Sequence, residues 1–144
     1  MKPFKTLVLV ANEREARLLV NLGPGKGLRE VSHFQKTREI EYADGRGRDQ
    51  GGPAAGRHAL EPTTSPRTQN RESFATDVLS VTAEVWARGD YDRFVMTAPP
   101  QMLGELRNRI EGPLERALAV DLNKDIVGVA AADLPRHFEE VIVF

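Results

Sequence analysis

The histidines, His33, His58 and His137, are scattered through the chain and show no metal-ligand spacing. His58 stands between Arg57 and Ala59 in a glycine-rich stretch, which makes it the histidine best placed to meet a ligand. A two-metal nuclease needs clustered carboxylates. The apolar runs 6–11 and 94–97 contain no acid, and Asn12, which follows the first, is a poor substitute. Asp121 and Asp125 lack acidic partners nearby in sequence and read as solvated or turn-capping. The chain has no cysteine, so it has neither a thiolate nucleophile nor a disulfide framework. No G-x-S-x-G elbow occurs. Gly23-Pro24-Gly25-Lys26-Gly27 lacks the Walker spacing and the following Ser or Thr, so it reads as a hairpin turn.

Four arginines, Arg46, Arg48, Arg57 and Arg67, lie in residues 43–70 and are suited to phosphate contact. This stretch of 28 residues holds five glycines, three prolines and one aliphatic side chain larger than alanine, Leu60. It contains no Phe, Tyr or Trp, so it offers no base-stacking platform. Three acids, Asp44, Asp49 and Glu61, leave it at +1. A long aperiodic stretch inside a domain is either functional or a solvated loop, and both readings stand for this one.

The elements around these residues are organised by one junction. Phe94, Val95, Met96 and Thr97 form an unbroken run, as expected of a strand covered on both faces. Pro99 and Pro100 end the ladder because neither donates a backbone N–H, yet proline suits the first turn of a helix. Met102, Leu103, Leu106 and Ile110 then follow at helical spacing, and Gly104 is expected to let that helix approach a neighbouring backbone. Ligands of open α/β sheets bind in the crevice beyond the carboxyl ends of the strands. That rule points to Asn12, Pro99, Pro100 and Arg107 as lining residues.

Upstream, residues 6–11 and 16–22 read as strands joined by a polar turn, antiparallel because the connection is so short. Residues 28–34 read as a third, edge-like strand. Asn70 is expected to cap a helix over residues 71–88, with Phe74, Val78, Val81 and Val85 as its apolar stripe and Gly89 at its end. Gly112-Pro113 separates a short helix at 114–119, and Val120 and Leu122 mark a last strand. Leu134, Phe138 and Val141 have helical spacing, with Asp133 as a cap. The order predicts an α/β fold with a mixed sheet of about five strands, three antiparallel and then parallel, flanked by helices.

A length of 144 residues suggests one domain, able to bury about 70% of its unfolded surface. The net charge of −1 provides no global field for nucleic acid or membrane. Residues 1–70 carry +4 and residues 71–144 carry −5, and a basic first half hints at a polyanionic partner. The apolar run 7–11 is too short for a signal peptide, and no run approaches the length of a membrane span. The cytoplasm is the expected location, with no membrane association and no cofactor.

The element order resembles a ribonuclease H-like sheet. The sequence pieces resemble the bacterial host attachment proteins, a family itself similar to the middle domain of archaeal and eukaryotic class-one release factors. The resemblance is carried by Leu7 to Asn12 with Ala16-Arg17, by Gly56-Arg57-His58-Ala59-Leu60-Glu61-Pro62, and by Phe74-Ala75 and Tyr91-Asp92-Arg93. It continues through Ala98-Pro99-Pro100, Leu103-Gly104 with Leu106-Arg107, and Asn123-Lys124-Asp125, and so spans most of the chain. It implies a release-factor middle-domain-like fold and a ribosome, tRNA or other RNA partner. Those factors release peptides through an exposed Gly-Gly-Gln. This chain has Gln50-Gly51-Gly52-Pro53, the same letters in another order, so peptide release is not expected. A hydrolase acting on peptidyl-tRNA or an ester is one alternative. A module that presents residues 99–107 to a protein partner is another.

Overall fold

A computed structural model of the chain describes residues 3–36 and 65–144. Five strands, β1 (Thr6–Ala11), β2 (Glu15–Asn21), β3 (Arg29–Gln35), β4 (Arg93–Ala98) and β5 (Leu118–Asn123), form one sheet in the order β3-β2-β1-β4-β5. β1 pairs antiparallel with β2 and parallel with β4, β2 pairs antiparallel with β3, and β4 pairs parallel with β5. Only β2 therefore runs against the other four strands. The described helices are α1 (Pro66–Arg88), α2 (Pro100–Arg109) and α3 (Gly112–Ala117), with a 3₁₀ helix at Ala131–His137. The fold is the expected mixed five-stranded sheet flanked by helices.

The unbroken apolar runs do what their composition requires. Every residue of β1 is buried, and its alternate side chains enter two separate cores. Leu7, Leu9 and Ala11 join Phe94, Met96 and Ala98 of β4 beneath α1, α2 and α3. Val8 and Val10 join Val95 and Leu19 beneath the C-terminal segment, against Ile126, Val127, Leu134, Phe138, Ile142 and Phe144. A strand with two apolar faces needs two covers, and both are present.

The structure corrects several expected boundaries. Helix α1 begins at Pro66, five residues earlier than expected, and its cap is Ser65, whose Oγ accepts from the Thr68 N–H at 3.1 Å. Asn70 lies inside the helix. Proline at the first helical position and serine just before it are a strong start, but they sit within a stretch whose composition reads as loop. The buried stripe is Arg71, Phe74, Ala75, Val78, Leu79 and Thr82, while Val81 and Val85 are half-buried at its margin. Gly104 faces open space, so no backbone approach requires it. Strand β5 begins at Leu118, and the preceding helix lies two residues earlier than expected, at Gly112–Ala117, with Gly112-Pro113 opening it. The last element is a 3₁₀ turn containing Pro135, which removes the amide a longer α-helix would use. Leu134 and Phe138 are buried as their spacing implied, but Val141 is exposed and Ile142 takes its place.

Candidate functional site

Because β1, β3, β4 and β5 are mutually parallel, their carboxyl ends share one edge of the sheet. The β1–β2 turn, the residue after β3 and the starts of α1 and α2 all meet there. Asn12 shapes the turn. Its Oδ1 accepts from the Arg14 and Glu15 N–H groups at 2.7 and 2.8 Å, while its own N–H donates to the Glu15 carbonyl at 2.9 Å. This local closure holds Glu13 and Arg14 beyond the strands. The Lys36 N–H donates to the Arg14 carbonyl at 2.8 Å, which fixes the end of β3 against the same turn.

Glu13 is the centre of the arrangement. Arg71, in the second turn of α1, donates from Nε to Glu13 Oε2 at 2.9 Å and from Nη2 to Gln101 Oε1 at 2.9 Å. Its side chain is only 9% exposed, so a charge taken almost wholly out of water is satisfied by the β1–β2 turn and by the start of α2. Arg67, one turn earlier and 80% exposed, approaches the other Glu13 oxygen at 3.8 Å. The first turn of α1 has no acidic residue, so Glu13 also supplies the negative charge that a helix N-terminus favours. Between these elements lies a groove of about 440 Å³, lined by Glu13, Arg14, Lys36, Arg67 and Asn70. Three cations and one carboxylate line it.

The sequence-derived site residues are not gathered into one place. Asn12 is structurally committed to its turn. Pro99 and Pro100 are the cap and first residue of α2 at the same sheet edge. Arg107 lies two turns further along α2, where its Nε donates to Asp121 Oδ2 at 2.6 Å on β5. That hydrogen bond holds the Asp121 carboxyl below its ordinary value, against partial burial, which acts the other way. Arg67 belongs to α1 and borders the groove, whereas Arg46, Arg48, Arg57 and His58 lie outside the described residues. Glu13, Arg14, Lys36, Arg71 and Gln101 were not singled out by sequence. The one available signal was Arg71, a charge placed on the apolar stripe three residues before Phe74, where it must find a partner.

Among the described residues no three carboxylate or histidine side chains converge as a metal ion would require. No described helix is long and apolar enough to cross a membrane.

The chain belongs to bacterial archaeo-eukaryotic release factor family 12, whose family model matches residues 5–138. Similar solved structures include Pelota of Archaeoglobus fulgidus, at 12% identity and TM-score 0.46, over 96% of this chain and 31% of that one. Another is an archaeal translation termination factor, at 11% identity and TM-score 0.47, over 96% of this chain and 35% of that one. The chain thus spans about a third of the length of each. No curated protein sequence matches it.

Proposed function

We propose that the protein is a cytoplasmic RNA-binding or ribosome-binding member of its family, of the host-attachment type, that contacts its partner through the carboxyl edge of the sheet. The observation that carries this reading is the groove in which Arg14, Lys36 and Arg67 converge from three elements. Family membership supports a ribosome or RNA as the partner class, and the cations offer a means of holding phosphates. Arg46, Arg48, Arg57 and His58 are proposed as further contacts to the same partner, as are Pro99 and Pro100 at the same sheet edge. Asn12 supports the turn beneath it. Arg107, bonded to Asp121 two turns further along α2, is kept as a further candidate contact. The sheet is read as ribonuclease H-like and middle-domain-like, but without the acids a nuclease needs. With no Gly-Gly-Gln in the chain, the role is binding rather than peptide release.

The test is a titration of labelled RNA and of ribosomes at several salt concentrations. Binding through phosphates must weaken as salt rises, because each neutralised phosphate releases condensed counterions. Replacing Arg14, Lys36 and Arg67 together by alanine should flatten that salt slope by about 0.7 for each single-strand phosphate they hold. Salt-independent binding, or an unaltered slope in the triple variant, refutes the reading.

A further inference from the structure

Glu13 occupies an unusual place for an acidic residue. It stands at the wall of the groove, between one arginine it bonds tightly and one it barely reaches. Arg71 holds Oε2 at 2.9 Å and is locked a second time by Gln101 at 2.9 Å. Arg67 approaches Oε1 at 3.8 Å, beyond hydrogen-bond length, with its side chain mostly in water. The two arginines on one helix therefore differ in kind. Arg71 is fixed, and Arg67 is held only by charge. Lys36 stands on the same rim, its ammonium 5.9 Å from the centre of the Phe74 ring, where a moderate attraction leaves it able to turn toward a stronger anion.

We propose that the groove is a subsite for one phosphate of an RNA backbone, and that Glu13 is a built-in competitor for that position. In the unliganded protein its carboxylate neutralises Arg67. An arriving phosphate takes Arg67 and Lys36, and Glu13 stays on Arg71. The carboxylate weakens the subsite by like-charge repulsion and so keeps free phosphate and small anions out. Only a ligand with further contacts elsewhere on the edge overcomes it. This deepens the RNA-binding reading and rests on it for the identity of the ligand.

Glu13→Gln is the discriminating change, because glutamine keeps an oxygen for Arg71 while removing the charge. Oligoribonucleotide affinity should rise roughly five- to tenfold at low salt, the effect of deleting one like charge a few ångströms from a phosphate in a solvated groove. The salt slope should steepen by about 0.7, one more ion displaced from a single strand. Adding Arg67→Ala to Glu13→Gln should abolish both gains. In a parallel arm, inorganic phosphate is titrated while the Arg67 side-chain Nε–H resonance is followed. It should saturate at lower phosphate in Glu13→Gln than in the wild type.

Wild-type RNA binding with no gain in Glu13→Gln overturns the competitor and leaves the RNA reading standing. Failure of the wild type to bind RNA or ribosomes removes the RNA reading, and the phosphate arm then decides whether an anion subsite exists. An Arg67 resonance indifferent to phosphate in Glu13→Gln overturns the subsite itself. Should Glu13→Gln not fold, Arg67→Ala alone serves, since that side chain is 80% exposed. It must lower the salt slope by about 0.7, and an unchanged slope refutes the proposal.

Discussion

On one face of the sheet the cover is a 23-residue helix with two shorter ones, and its contact with the strands is a row of apolar side chains at helical spacing. On the other face the cover is residues 124–144, whose one regular piece is the short 3₁₀ helix. The helices satisfy their interior backbone groups themselves, and beyond the bonds of Arg71 they are held mainly by fit. An irregular segment carries backbone carbonyls that must find donors elsewhere, and this one is held by hydrogen bonds as well as by apolar packing. Arg17 of β2, 8% exposed, donates from Nη1 to the Val127 and Val129 carbonyls at 2.8 and 2.6 Å, and from Nε to Glu30 at 2.7 Å. Thr97 Oγ1 donates to the Lys124 carbonyl at 3.4 Å, and Lys124 Nζ to the His137 carbonyl at 2.9 Å. The Gly25 and Gly27 N–H groups both donate to the Phe144 carbonyl at 3.1 Å. Those glycines have φ of +78° and +74°, conformations that side chains with a Cβ rarely adopt. Two apolar faces of one sheet are thus closed by two different means.

Substitutions can separate the two. The largest effect is expected on the helical face. Phe74, 3% exposed and packed beside Phe34 with ring centroids 6.2 Å apart, should cost about 3–5 kcal/mol as Phe74→Ala. Denaturant unfolding measures this, and a loss below about 1 kcal/mol would mean that shape fit is not what holds α1 in place.

Next in size is Arg17→Ala on the opposite face, which strips two carbonyls of their donor. About 2–3 kcal/mol is expected, with amide exchange quickening in residues 124–144 before it does in α1. If exchange rose equally in both covers, the distinction between them would fail.

The smallest effect belongs to the exposed pair of Arg107 and Asp121. The hydrogen bond from Arg107 lowers the Asp121 pKa in the folded state. A carboxyl depressed on folding contributes stability that is present above its ordinary pKa and lost as pH falls through the lowered one. The melting difference between wild type and Asp121→Asn should therefore be small at neutral pH and vanish in acid. A difference that persists in acid would assign Asp121 a packing role.

The sequence made β1 and β4 legible because strands buried on both faces leave unbroken apolar runs, and their parallel pairing follows from the crossover between them. The start of α1 was hidden because Ser65 and Pro66 lie in a Gly- and Pro-rich stretch that masks a good cap. The C-terminal cover was only half legible. Leu134 and Phe138 show the burial, but a 3₁₀ turn and an irregular chain have no stable period to extend to Ile142 and Phe144. The groove was least legible. Glu13, Lys36, Arg67 and Gln101 come from four separate segments, so no spacing unites them. Arg107 sat at a suggestive distance from the two prolines, but the helical rise carries it away from the edge and toward Asp121.

The bonds from Arg17 to the C-terminal cover close 110 and 112 residues of chain. Contacts this remote in sequence carry a larger closure entropy than the β2–β3 hairpin, whose strands are joined by a turn of a few residues. They should form late, after local pairing has begun to lower the cost of bringing the ends together. The glycine turn that receives Phe144 is therefore ready before its guest arrives. Its engagement closes the second core at its C-terminal end.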